Sequence, residues 1–318
     1  MADRANTSKE ANPAQGTASV RHEAEASASR FPAIMVEAER IAATLMSGIH
    51  GRRQAGPGET FWQHRPYAFG DSITRIDWRQ SARSADRLYV RQNEWEAAAS
   101  VWLWRDPSRS MIYQSTVTAP EKRHRANVLA IALSILLAQG GERLGVLAGD
   151  DTAVSRARHG ATRLFHGRRA PATILEHLDH RETDDTPALP FSARVRPGNT
   201  IVLFSDFLMD LEAIDAGVDR LMRLGARGVF CQVIDEAEAG FPFRGRKEFQ
   251  DTETNDRLLF GNAQTLQAAY RTTFDAHQAA LAAMAARAGW PLITHKTNDR
   301  AHTALLALIN AVTPQGRS

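Results

Sequence analysis

The chain has 318 residues, of which 43% are hydrophobic and 24% are charged. These values are ordinary for a globular protein and exclude both an intrinsically disordered chain and an integral membrane protein. The 39 lysines and arginines, against 36 aspartates and glutamates, give a formal net charge of +3, an excess too small to favour a nucleic-acid-binding protein.

The cysteine content and the N-terminus predict a cytoplasmic protein. Cys231 is the single cysteine, so it cannot form an intramolecular disulfide, and it lies in an apolar run that favours burial. The N-terminus lacks the apolar core of a signal peptide. The longest apolar stretch, Val128 to Ala138, falls well short of the roughly 20 residues that span a bilayer, so we interpret it as a buried helix.

The composition changes twice along the chain, which predicts three parts. Residues 1–30 are rich in Ala, Ser, Glu and Arg and are predicted to form a flexible tail. Residues 31–97 contain a helix that begins at Phe31 and ends before Gly48, followed by an arginine-rich segment. Residues 98–313 are predicted to form the main domain.

In the main domain, short apolar runs alternate with amphipathic stretches, which is typical of α/β proteins with a mainly parallel central sheet. The predicted strands are Val101–Trp104, Leu144–Ala148, Thr200–Phe204, Gly228–Ile234 and Pro291–His295. The predicted helices are Arg125–Gln139, Pro171–Leu178, Leu211–Leu224, Ala263–Ala288 and Ala301–Val312.

Polar side chains directly follow two of these strands. Asp106, Ser108 and Ser110 come after the first strand, and Asp206 comes after Thr200–Phe204. Because ligands of such sheets bind beyond the carboxyl ends of the strands, these residues form a candidate site. Carboxylate and hydroxyl oxygens suit Mg²⁺ or Mn²⁺. Since the hydroxyls are neutral, the ion would keep positive charge and could take a carboxylate from a partner protein, which is a binding chemistry rather than a catalytic one.

Two other interpretations of these residues stay open. Asp106, Ser108 and Ser110 are also typical of a helix N-cap, and Asp206 is similarly suited to cap the helix that begins near Leu211. In addition, Arg105 and Arg109 flank Asp106, and either guanidinium would weaken cation binding if it pointed at the site.

Several segments together resemble a known family. They are Tyr67–Asp71, Arg75–Arg83, Asp106–Met111, Ser205–Phe207 and Asp235–Phe249. On these segments the chain resembles the von Willebrand factor A-like proteins, and within them the domain of unknown function 58 family, from about Ala33 to Val312.

The resemblance implies a Rossmann-like von Willebrand factor A-like fold without enzymatic activity. It also implies a partnership with a MoxR-type AAA+ ATPase and with other von Willebrand factor A-like proteins. A further threonine ligand is expected for the metal; Thr162 is our assignment, with Thr152 and Thr173 as alternatives.

The sequence lacks the motifs of several enzyme classes. No phosphate-binding loop, no Gly-x-Ser-x-Gly elbow and no zinc-type histidine spacing occurs. The alternative function is a metal-dependent hydrolase that uses Asp106 and Asp206 to activate water, although the motif holds no His or Glu as a general base. A third hypothesis is a scaffold in which the site is vestigial.

Five tryptophans in the N-terminal third are predicted to pack in the core because large aromatic side chains dominate burial. They are Trp62, Trp78, Trp95, Trp102 and Trp104. Within Arg75–Arg83, we interpret Asp77, Arg79 and Arg83 as an ion network around a buried Trp78, with a docking surface as the alternative.

Overall fold

The structure, a computed structural model, describes residues 31–47, 60–68, 76–83, 87–94, 100–147, 163–179, 189–190, 194–250 and 256–313. The predicted tail, residues 1–30, lies outside the described residues. Among the residues that are described, no helix combines the length and the apolar character needed to cross a membrane.

Strands and helices alternate through most of the described chain. The strands are β1 Thr60–Pro66, β2 Tyr89–Glu94, β3 Ser100–Arg105, β4 Arg143–Val146, β5 Leu164–Phe165, β6 Thr200–Ser205, β7 Arg227–Ile234, β8 Lys247–Gln250, β9 Arg257–Phe260 and β10 Leu292–Lys296. The helices are α1 31–47, α2 Trp78–Ser81, α3 Lys122–Gln139, α4 Ala170–Asp179, α5 Leu211–Arg223, α6 Glu236–Gly240, α7 Gln267–Ala288 and α8 Ala301–Val312. Short 3-10 helices span Arg109–Met111 and Ala263–Leu266.

The central sheet has six strands in the order β10-β7-β6-β3-β4-β5. Neighbouring strands are parallel except for the β4–β5 pair at one edge, which is antiparallel. The predicted α/β fold with a mainly parallel sheet is therefore confirmed. The chain runs from β3 through α3 to β4 on one side, whereas β6 lies on the other side of β3. Ligands of open α/β sheets bind at such a change of direction, which here lies at the carboxyl ends of β3 and β6.

Apolar layers cover both faces of the sheet. Alternate residues of β3 face opposite layers: Val101 and Leu103 pack with α1, α3 and α8, and Trp102 and Trp104 pack with α5 and α7. The Trp102 ring occupies the space in which a Cβ at Gly145 would lie. This double burial fixes the ends of β3, and the polar residues that follow it, relative to β6.

The tryptophan prediction is confirmed for Trp102 and Trp104, which are 1% and 0% exposed. It is wrong for Trp78, which is 61% exposed. Asp77 caps α2 by accepting hydrogen bonds from the backbone of Arg79 and Gln80, each at 3.1 Å, and Trp78 takes the first helical position on the outside. The side chains of Trp62 and Trp95 lie outside the described residues.

A buried histidine on β10 is expected to make the free energy of unfolding depend on pH. The pKa of His295 is lowered to about 4, mainly by burial and secondly by the positive charge of Arg125. The negative charge of Asp299 opposes the shift. Below the ordinary His pKa of about 6.5, His295 becomes protonated in the unfolded chain but stays neutral in the native state. The free energy of unfolding therefore falls as the pH is lowered from about 6.5 to 4. Urea unfolding at pH 7 and pH 5 should show this fall.

The substitution His295→Gln is expected to flatten that pH dependence, whereas His302→Gln, on the exposed side of α8, should leave it unchanged. An identical slope in wild type and His295→Gln would assign the pH dependence to other groups.

Candidate functional site

The site begins where β3 ends. The Asp106 backbone N–H donates to the Phe204 carbonyl oxygen at 2.8 Å, which ties the end of β3 to β6. The Asp106 side chain is fully buried; Oδ1 accepts from the Ser108 backbone N–H at 2.8 Å, and Oδ2 accepts from the Ser205 hydroxyl at 2.5 Å. The hydroxyl oxygens of Ser108 and Ser110 lie 2.9 Å apart. The motif thus forms a tight turn with its oxygens gathered together.

Asp206 follows β6 at the same edge of the sheet. Its Oδ1 accepts from the Leu208 backbone N–H at 3.0 Å, and the next residue, Phe207, has a left-handed backbone with φ 56°. The pKa of Asp106 is raised, mainly by burial and secondly by the negative charge of Asp206. The two carboxyl groups therefore lie at the same edge of the sheet, where the charge of one disfavours ionisation of the other.

The capping interpretation describes only part of this arrangement. Ser108 stands at the N-cap of the 3-10 helix Arg109–Met111 without a side-chain cap bond. The N-cap of α5 is Asp210, four residues beyond Asp206. Asp106 and Asp206 instead each accept a hydrogen bond from the backbone N–H two residues later, which shapes the turns but caps no α-helix.

Lys122 is the residue that sequence reasoning missed. It is the first residue of α3 and is 0% exposed; its Nζ lies 2.8 Å from Asp206 Oδ2 and 2.5 Å from Glu238 Oε1. Burial alone would lower the pKa of Lys122, but the charges and hydrogen bonds of these two carboxylates raise it. The ammonium group is therefore a fixed positive charge inside the site.

Glu238 connects Lys122 to the segments around it. Its Oε2 accepts from the Asp235 backbone N–H at 2.8 Å, and Asp235 Oδ1 accepts from Ala237, so the two residues form a capping box at α6. Asp235 Oδ2 also accepts from the Ser115 backbone N–H at 3.0 Å, and the Tyr270 hydroxyl donates to the Glu238 carbonyl at 2.7 Å. The Asp-x-x-Glu spacing after β7 was the sequence signal for this box.

We name this end of the sheet the acidic edge and define it by the loops 106–110, 206–210 and 235–238. These loops contain six acidic residues and one basic residue, Arg109, which is half-buried. The neighbouring Arg105 is buried, and its guanidinium donates to the carbonyl oxygens of Asp106 and Leu178 at 2.8 and 2.6 Å.

The predicted threonine ligand does not complete the described site. Thr162 and its alternative Thr152 lie outside the described residues. Thr173 lies in α4, where its hydroxyl donates to the Arg169 carbonyl oxygen of the preceding turn at 3.3 Å. Its assignment as a ligand has no support in that position.

The oxygen donors present suit a small divalent ion. The Ser108 and Ser110 hydroxyl oxygens share a hydrogen bond at 2.9 Å, and a Mg²⁺ octahedron with bonds of 2.0–2.1 Å would place two adjacent ligand oxygens at about the same separation. Burial, followed by the charge of Asp206, raises the pKa of Asp106, so the ionised form of this carboxyl is disfavoured in the absence of a cation. No group of three or more His, Cys, Asp or Glu residues is arranged for a metal within the described part of the chain. Ligation would therefore depend on hydroxyls.

Comparisons with known proteins identify relatives of unknown function. The sequence profile of a family described as protein of unknown function DUF58 matches residues 63–280. The uncharacterized proteins Mb1516 of Mycobacterium bovis and Rv1480 of Mycobacterium tuberculosis are 28% identical over 259 residues, which is 80% of this chain and 80% of each relative.

Two solved structures are similar over 68% of this chain. An aerotolerance-related membrane protein from Bacteroides fragilis matches with a TM-score of 0.41 and 17% identity, over 98% of its own chain. The conserved hypothetical protein BatB from Bacteroides thetaiotaomicron matches with a TM-score of 0.34 and 13% identity, over 97% of its chain.

Proposed function

Since this chain belongs to the DUF58 family, whose function is unknown, we propose a function from the geometry of the acidic edge. The protein is a non-catalytic interaction module with a von Willebrand factor A-like fold, and it binds a partner through a divalent metal ion held at Asp106, Ser108, Ser110 and Asp206. The observation that carries the proposal is the placement of two carboxylates and a hydroxyl pair at the carboxyl ends of β3 and β6.

The charge balance of the site favours binding over catalysis. Lys122 neutralises part of the acidic charge by pairing with Asp206 and Glu238. A divalent ion beside Ser108, Ser110 and Asp106 would therefore keep positive charge, and it would attract a carboxylate of a partner. Ser110 is partly exposed and offers the approach from solvent. When bound, the ion supplies the point of attachment for that carboxylate.

The proposed partner is a MoxR-type AAA+ ATPase, acting with this module and with other von Willebrand factor A-like proteins in the assembly or maturation of a protein complex. Support comes from the family resemblance, and the acidic edge adds the chemistry of the contact: an exposed Asp or Glu on the ATPase. Such a contact requires both the metal and the hydroxyl pair.

The first test is calorimetric titration of the full chain with Mg²⁺ and Mn²⁺. Ser108→Ala/Ser110→Ala removes both hydroxyls and is expected to weaken metal affinity at least about tenfold. The matched control is Thr116→Val/Thr118→Val, because this exposed hydroxyl pair, 3.2 Å apart, follows the site in sequence. The control should bind metal as the wild type does.

The second measurement is binding of the purified MoxR-type ATPase of the same organism, with Mg²⁺ and with EDTA. Binding should require metal and should be lost with the serine double variant. Equal metal binding by the two double variants would contradict the proposal. Turnover of a generic phosphoester with Mn²⁺ that disappears in Asp206→Ala would replace it with the hydrolase hypothesis.

A further inference from the structure

The opposite end of the sheet carries a group of exposed arginines. Arg196 precedes β6, Arg227 begins β7 and Arg223 lies in the last turn of α5; all three are exposed. Their loops are fastened to each other, because Gly198 N–H donates to the Gly225 carbonyl at 2.9 Å and Arg227 N–H donates to the Asn199 carbonyl at 2.8 Å. The three arginines therefore sit at one fixed edge.

We name this end the basic edge and define it by the loops 140–143, 194–199 and 223–227. These loops contain five arginines and one acidic residue, Glu142. The loops of the acidic edge, at the other end of the same strands, have the reverse balance.

We propose that the basic edge binds the phosphate-bearing surface of an anionic membrane. Guanidinium groups pair with phosphate through two parallel hydrogen bonds. Arg143 at the start of β4 and Arg227 at the start of β7 are separated by three strand spacings, about 14 Å, so the charges are spread along a line rather than gathered around one small anion.

Mobile lipid headgroups suit such a spread edge, since Arg196, Arg223 and Arg227 are exposed and can each recruit a phosphate. Met222, which is 37% exposed beside Arg223, adds an apolar contact. A lipid surface is favoured over single-stranded nucleic acid because the loops of the basic edge contain no aromatic residue on which bases would stack.

Membrane binding at this edge would orient the molecule. The six residues of β3 span about 20 Å between the basic edge and the acidic edge. A protein attached by its arginines would therefore hold the acidic edge away from the lipid.

The test is co-sedimentation of the full chain with phosphatidylcholine vesicles that contain about 30% phosphatidylglycerol, at low and high salt. Arg196→Glu/Arg223→Glu/Arg227→Glu is expected to weaken binding at least about thirtyfold. The matched control, Arg244→Glu/Arg246→Glu/Arg271→Glu, makes the same charge change at exposed positions outside the basic edge. It should retain most of the binding.

Circular dichroism melts of both variants check that they are folded, and a single Arg227→Gln variant gives an intermediate loss if the triple variant is unstable. Equal losses in the two triple variants, or equal binding to pure phosphatidylcholine, would overturn the proposal. Release of the vesicle-bound protein by a sub-stoichiometric amount of single-stranded RNA would also overturn it, in favour of a nucleic acid.

Discussion

Lys122→Met is expected to lower the free energy of unfolding by about 3–5 kcal/mol. The substitution keeps an unbranched side chain that is only one atom shorter, but it removes the ammonium group between Asp206 and Glu238. Both carboxylates then remain buried, at 1% and 15% side-chain exposure, without their cation. Urea unfolding at neutral pH measures the loss, and Lys247→Met, at an exposed position on β8, is the control. It should change stability by less than about 0.5 kcal/mol.

A double-mutant cycle with Glu238→Gln separates the ion pair from simple loss of packing. The double variant should lose less than the sum of the single losses, with a coupling of about 1–3 kcal/mol. Strict additivity would show that Lys122 and Glu238 do not depend on each other.

The metal titration gives a second readout for Lys122→Met, because loss of the ammonium group removes a charge that repels the divalent ion. If the Lys122→Met variant is folded, it should therefore bind Mg²⁺ more tightly than the wild type.

The apolar elements of the fold were predictable because each is long enough to show its period. The predicted helix Ala301–Val312 matches α8 residue for residue, and β7 begins one residue before the predicted strand. The hairpins β1–β2 and β8–β9 were not predicted. Their strands are rich in polar and charged residues, so no apolar run marked them.

The candidate site was predictable where strand topology determines position, and not where distant segments meet. Asp106 and Asp206 were found because parallel strands deliver the residues after them to one edge. Lys122 was missed because the predicted helix began at Arg125, and a lysine just before a helix usually lies in solvent. Its burial depends on β6 and α6 supplying carboxylates from 84 and 116 residues away.

Asp106→Asn is expected to change stability and metal binding in opposite directions. The side chain keeps its shape: the amide oxygen still accepts from the Ser108 backbone, and the amide nitrogen can donate to the Ser205 hydroxyl. Because burial and the charge of Asp206 raise the pKa of Asp106, the ionised carboxylate costs free energy in the native state at neutral pH. Removing the charge should stabilise the metal-free protein by about 1 kcal/mol, seen as a rise in Tm of about 3 °C.

The same variant should lose Mg²⁺ affinity at least about a hundredfold, because a neutral amide is a far weaker ligand for a hard cation than a carboxylate. Calorimetry in metal-free buffer and then with Mg²⁺ measures both effects on one sample. Asp275→Asn, at an exposed position on α7, is the matched control and should affect neither metal affinity nor the response of Tm to Mg²⁺. A fall in Tm with unchanged affinity would mean that Asp106 only supports the turn. A rise in Tm together with a loss of Mg²⁺ affinity would instead show that the Asp106 carboxylate lowers stability and is needed for ion binding.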